Sequence, residues 1–361
     1  MFSRLSFKAL LVSALCSASS LSLAALQMET IAEGLDTPWS VAELPDGGFL
    51  VTERPGSIKH VAPSGEMTAI TGVPEVFAKR QGGLFDVVLH PNFAANSTVF
   101  LAYAAGSEDR NQTTVARGVL DGNALTNVTV IFEVSPTKRG GGHFGGRMAF
   151  LADGTMLLSV GEGYTLREDA QKTGSQLGKL LRMTETGEAP ADNPFPDAPY
   201  VYSYGHRNPQ GLIVDAATQS IWMTEHGPKG GDELNRIEAG KNYGWPAITY
   251  GVDYSGAIIS PFTEAPGMEQ PVTYWVPSIA TSGLALYTSS AIPNLTGKLL
   301  VGGLKAKKVV AVDVSGESPV LSEPFPELEA RVRDVRALSD GSVAVIDEAG
   351  GKVIRVSQGA D

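Results

Sequence analysis

The 361 residues carry 28 Lys and Arg against 39 Asp and Glu, a formal net charge of -11. So acidic a chain repels phosphate backbones and anionic lipid, which argues against a nucleic-acid partner. Its single cysteine, Cys16, rules out a disulfide framework.

The first segment reads as an export signal. Arg4 and Lys8 form a positive n-region, residues 9–15 a short apolar run, and Ser22-Leu23-Ala24 a small-residue cleavage site. The mature chain then starts at Ala25 or Leu26 without Cys16, and losing Arg4 and Lys8 takes the net charge from -11 to about -13. No segment approaches the roughly 20 apolar residues of a membrane-spanning helix. Export without disulfides points to a bacterial periplasm. The division expected is residues 1–24 as signal peptide and 25–361 as one catalytic domain.

Glycine (41) and proline (22) are abundant, and short Val/Ile/Leu-rich runs lie between turn signals, the pattern of antiparallel sheet. A loose unit recurs in chain order at 44–61 (LPDGGFLVTERPGSIKHV), 87–104, 150–163 (FLADGTMLLSVGEG), 214–227, 294–314 and 338–356 (LSDGSVAVIDEAGGKVIRV). Each unit places a turn at Asp-Gly or its substitute before an apolar strand, then a second turn. One hairpin cannot bury its own face, so such units stack or close into a ring. The expectation is an all-β, six-bladed β-propeller of four-stranded antiparallel blades, one blade mixing strands from both chain ends. A pair of β-sandwiches is the competing architecture.

Chemistry concentrates at 204–246, which holds YGHRNPQG, EHGPKGGDELN and NYGWP. This stretch lacks the apolar repeat of a core element and reads as loops that hold a ligand. None of the five histidines forms an HExxH-like pair, and there is no GxSxG elbow. His143, in RGGGHFGGRM, has glycines on both sides that leave its imidazole uncovered. It is either a base working near neutral pH or a turn histidine bonded to a carbonyl. The carbonyls of Gly227 and Pro228, with the carboxylates of Glu233 and Asp253, suit a hard cation such as calcium, structural or catalytic. Arg331 and Arg333 alternate, so they face one anion together or form a solvated pair.

The ordered motifs GLDTPWSVAELPDG, QGGLFDVVLHPNF, GRMAFLADGTMLLSVGEG, GHRNPQG, EHGPKGGDELN, KNYGWP and RVRDV span nearly the whole mature chain. Together they resemble the soluble pyrroloquinoline quinone (PQQ)-dependent aldose sugar dehydrogenases of the glucose/sorbosone dehydrogenase family, whose fold is a six-bladed propeller. The resemblance implies that His143 is the general base for the sugar's C1 hydroxyl and that Arg207 polarises the quinone, with Asn208 beside it. It implies that Gln81 lines the quinone site and that Lys305, Arg331 and Arg333 hold the cofactor's carboxylates. It assigns the carbonyls of Gly227 and Pro228 to a calcium on PQQ. Glu233, Asp253 and the carbonyls of Thr249 and Gly251 fall to a second, structural calcium. Trp275 resembles an aromatic at the pocket mouth. Glu162 stands where glucose-specific members carry an aspartate, so its contact with His143 or the cofactor differs in reach. The chain is also shorter than those members, which favours an open site and broad aldose specificity. The activity implied is periplasmic oxidation of aldoses at C1 to lactones by a monomer or homodimer, with the electron acceptor unknown. The alternatives are a calcium-dependent lactonase or a non-catalytic sugar- or protein-binding propeller.

Overall fold

The computed structural model describes residues 25–359; the signal segment expected at 1–24 lies outside the described residues. Six four-stranded antiparallel sheets follow one another along the chain as the blades of a propeller. Their innermost strands are Pro38–Glu43, Leu84–Leu89, Met148–Phe150, Pro209–Val214, Thr281–Tyr287 and Val332–Ala337, taken here as the first strands of blades 1 to 6. These strands pack on one another around a central channel. Blade 6 is closed by the chain's own start, where Leu26–Glu33 pairs with Lys352–Gln358 and Leu26 lies opposite Gln358. The mixed blade expected from the sequence is this one. Among the described residues no helix is long and apolar enough to cross a membrane.

The recurring Leu-x-Asp-Gly is one turn used three times. Leu44, Leu151 and Leu338 each donate their N–H to the carbonyl four residues on, at 2.8, 2.8 and 2.9 Å. The glycines at 47, 154 and 341 donate back to those leucines, at φ of 83°, 82° and 84°, a conformation that glycine adopts without a Cβ penalty. Asp46, Asp153 and Asp340 each accept the N–H two residues on, at 2.9, 2.9 and 2.8 Å, the Asx geometry that makes Asp favourable there. The turn then feeds a second strand covered on both faces, as in Met156–Val160. Leu158 has no exposed surface and sits in a core cluster between blades. Truncating a buried leucine to alanine costs about 2–5 kcal/mol.

The feature that shapes the site is a repeated β-bulge. Register slips by one residue between Pro38 and Ser40, Leu84 and Val87, Pro209 and Gly211, Thr281 and Leu284, and Val332 and Asp334. All five lie in the first half of an inner strand. A bulge bends its strand and re-aims the extra side chain. Here the residues inside the slips include Trp39, Phe85, Gln210 and Arg333, and all four line one cavity at the channel mouth.

Candidate active site

That inner cavity encloses about 190 Å3 and is also lined by Gln81, Asn208, His226, Arg331 and Glu348. Farther along the channel, Arg147 and Arg336 meet Asp86 and Asp334 at 3.0–3.3 Å and close it.

His143 stands in the wall between this cavity and an outer one of about 230 Å3. Phe144 and Gly145 face the inner space, while Glu162 and Tyr164 face the outer. Its backbone holds φ of 49°, a left-handed conformation costly for a residue with a Cβ. Neighbours fix it there: Gln81 Oε1 accepts the His143 N–H at 2.8 Å, and the His143 carbonyl accepts from Gly163 at 3.2 Å. A Cβ on Gly161 would lie 2.6 Å from the His143 carbonyl, so that close approach requires glycine. The expectation of an uncovered imidazole needs correction. Only 3% of His143 is exposed, because the flanking glycines let the loop sink inward, with Tyr164 edge-on at 5.0 Å. Nδ1 lies 3.0 Å from Glu162 Oε1, close enough for a charge pair, although the ring is turned off hydrogen-bond geometry. Burial lowers the His143 pKa, Glu162 opposes that shift, and Arg207 and Lys138 reinforce it. The ring is therefore neutral where an ordinary histidine begins to protonate.

Lys138, which sequence reasoning missed, anchors the same loop. Its Nζ donates to Asn111 Oδ1 at 3.0 Å and to the Gly140 carbonyl at 3.1 Å, and lies 3.5 Å from the centre of the Phe144 ring. Burial lowers its pKa to about 7, against the pull of Glu162 and Glu108.

Arg207 and Asn208 arrive from the turn before the blade 4 inner strand. The Arg207 N–H donates to Glu225 at 2.6 Å, and its Nη1 donates to the carbonyls of His226 and Gly227 at 3.1 and 2.8 Å. Its guanidinium lies 5.1 Å from the Trp245 ring centre, and its buried Nε has no partner. Asn208 Oδ1 accepts from Gln210, whose own Oε1 accepts from Arg333 at 3.0 Å. His226 was noticed in the sequence only as one of five histidines. It lines the inner cavity with a buried, unpartnered Nε2. Burial, then Arg207 and Arg333, hold its pKa well below the usual value.

Arg331 and Arg333 do face one anion, and within this chain it is Glu348. Arg331 Nε and Arg333 Nη2 lie 2.6 and 2.8 Å from its carboxylate, whose pKa falls because both cations outweigh its burial. Lys305 is exposed and does not line the cavity.

The residues expected around calcium divide differently from the sequence grouping. Glu233, Gly227 and Thr249 line a cavity of about 10 Å3 together with Glu225, room for one ion or one water. Glu233 and Glu225 sit directly opposite on paired strands. Burial and the Glu225 charge push the Glu233 carboxyl far above the usual carboxylate range, an arrangement that a cation would relieve. Asp253 and Pro228 line the outer cavity instead, and Asp253 bonds Ser255 and faces Arg167 at 3.7 Å. Gly251 packs against Pro228 and the Gly230 carbonyl. Among the described residues no three His, Cys, Asp or Glu side chains gather to hold a metal. Any cation here therefore leans on backbone carbonyls. Trp275 also departs from expectation: it is buried with Trp222, Leu234 and Leu284 in a core cluster, and Trp245 is the tryptophan beside Arg207.

Comparison with known proteins matches residues 35–355 to the family described as glucose/sorbosone dehydrogenase. The aldose sugar dehydrogenase YliI of Escherichia coli K12 is 40% identical over 362 residues, covering 96% of this chain and 97% of the relative. The crystal structure of the soluble aldose sugar dehydrogenase of E. coli in its apo form superposes with a TM-score of 0.88 at 38% identity, over 93% of this chain and 100% of that one. The PQQ-bound form of the aldose sugar dehydrogenase of Streptomyces coelicolor gives 0.78 at 29% identity, over 92% and 98%.

Proposed function

The chain belongs to the glucose/sorbosone dehydrogenase family, and from that premise we propose that it is a PQQ-dependent aldose dehydrogenase of the periplasm, oxidising sugars at C1 to lactones with broad specificity. One observation carries this reading. A neutral histidine held against a carboxylate stands beside Arg207, at the wall of a cavity rich in arginine.

The residues fit the cofactor. The unpartnered buried Nε2 of His226, with Arg331 and Arg333 in the same wall and Arg207 lining the adjoining outer cavity, suits a planar ligand bearing carboxylates. Gln81, Asn208, Arg207, Arg331 and Arg333 are the side chains assigned to hold it. Gly227 and Pro228 carbonyls are assigned to its calcium, and Glu233 with the Thr249 carbonyl to a second cation, where Gly251 and Asp253 are the weaker members. When bound, PQQ supplies the hydride acceptor and calcium the Lewis acid that polarises it.

The protein's own part is proton transfer and orientation. His143 Nδ1 faces Glu162 at 3.0 Å, so Nε2 is the nitrogen assigned to take the C1 hydroxyl proton. Glu162 then stabilises the imidazolium. Arg207 is fixed by the His226 and Gly227 carbonyls, so its charge stands in place before reaction and needs no reorganisation. Tyr164 and Trp245 cover the site and limit water. Loss of the C1 hydroxyl proton to His143, together with loss of the C1 hydrogen as hydride to the acceptor that PQQ would supply, would leave the C1–O bond as the lactone carbonyl.

The test is to reconstitute purified apoprotein with calcium and PQQ and follow dye reduction with several aldoses. Turnover with more than one aldose is expected. No activity with any of them, and no quinone absorbance retained, would sink the reading.

A further inference from the structure

We infer that Arg54 binds an anionic group of the ligand in the inner cavity, an assignment that rests on the quinone reading above. Arg54 follows the second strand of blade 1, Phe49–Glu53, and lines the cavity together with Arg331 and Arg333. The three arginines are not equivalent. Arg331 and Arg333 share Glu348, so that trio presents a single net positive charge. Arg54 makes no ion pair among the described residues. Its Nη1 donates to the neutral carbonyl of Arg80, which orients the guanidinium and leaves its charge intact. A guanidinium has five N–H donors, so most remain for a ligand.

The stem is anchored as firmly as the head. The Arg54 N–H donates to the Thr37 carbonyl at 3.1 Å, and its own carbonyl accepts from Leu84 at 2.9 Å. A Cβ on Gly83 would lie 2.6 Å from Arg54 Cγ, so Gly83 packs directly on the side chain. A charged group held in this way loses little freedom on binding. PQQ carries three carboxylates; calcium and Arg207 are assigned elsewhere on it, and in the inner wall the blade 6 trio offers one net charge. Lys305, the third cation implied by resemblance, is exposed and outside the cavity wall. Arg54 adds a guanidinium without an acidic partner among the described residues to the same wall, from blade 1.

The experiment is a titration of PQQ, with calcium present, into apoprotein, followed by the quinone absorbance. It compares wild type with Arg54→Gln, Arg54→Lys and Lys305→Gln. At low salt, Arg54→Gln should weaken binding at least about tenfold, as expected for a lost charge-assisted hydrogen bond. Arg54→Lys should recover part of the loss, and Lys305→Gln should change affinity less than Arg54→Gln does. The gap between wild type and Arg54→Gln should narrow toward 1 M salt, where the Debye length is about 3 Å. Equal affinity of Arg54→Gln and wild type overturns the inference. So does a loss that is unchanged by salt and accompanied by a lower Tm, because the Arg80 contact would then be purely structural. Wild-type protein that retains no PQQ overturns the quinone reading itself, and the Arg54 assignment with it.

Discussion

One channel carries two clusters of charge that obey opposite rules. Midway along it, Arg147 and Arg336 face Asp86 and Asp334, two cations and two anions within 3.0–3.3 Å. Arg147 also donates to the Gln210 and Arg333 carbonyls at 2.8 and 3.2 Å, and it lies 4.0 Å over Trp39. At the mouth, Arg331 and Arg333 share Glu348, Arg54 has no acidic partner among the described residues, and His226 Nε2 is buried without a partner. Burial is costly for both clusters. The balanced one needs nothing from outside and acts as a plug. The unbalanced one carries spare positive charge and suits the anionic ligand proposed above.

Substitutions can break this contrast at either end. The largest effect is expected from His143→Ala, which should cost about 10^2–10^4 in turnover while Tm and PQQ affinity stay close to wild type; loss of cofactor binding would mean its role is misassigned. Arg147→Met should do the reverse. Leaving Asp86 and Asp334 short of a partner should cost about 3–5 kcal/mol in denaturant unfolding, and an unchanged midpoint would show that the plug is dispensable. Removing calcium with a chelator should lower stability by about 2–3 kcal/mol if the ion normally stands near a hundredfold above its Kd. Restoring calcium should recover Tm in wild type but not in Glu233→Gln.

The smallest effect sharpens the mouth alone. Burial lowers the His143 pKa, so the base stays neutral, and activity stays high, until pH falls below the ordinary value of 6.5. The acid limb of kcat/KM in the reconstituted enzyme should therefore lie below 6.5. Glu162→Gln removes a group that raises this pKa and should move the limb lower still; an upward move would contradict the assigned contact.

Much of this was legible because it is local. The Leu-x-Asp-Gly turns announce themselves within five residues, and the shared blade 6 follows from similar units at both ends. The glycines around His143 and the Arg207-Asn208 pair also stand out in the chain. What was hidden depends on register. Trp39 and Gln210 enter the site because a bulge turns them out of their strands, and a bulge exists only relative to a partner strand. Glu348 joins the site only when folding sets it between Arg331 and Arg333. Arg147 reads as the end of the glycine loop, yet its partners include Asp334, far along the sequence. His143 looked uncovered because glycines were read as open space, whereas they allowed closer packing. Asp253 and Trp275 were assigned by resemblance; the loop after Ile237 carries Asp253 to the outer cavity, while the strand Thr273–Trp275 buries Trp275 in a core cluster.

The most direct test measures PQQ affinity and unfolding midpoint side by side for wild type, Arg333→Gln and Arg147→Met, each with calcium present. Arg333→Gln leaves Glu348 paired with Arg331, so it should bind PQQ at least about tenfold more weakly with only a small change in midpoint. Arg147→Met should lose midpoint first. If Arg333→Gln binds PQQ as wild type does, or if both variants lose stability alike with binding intact, the division of the channel into a plug and a ligand site is wrong.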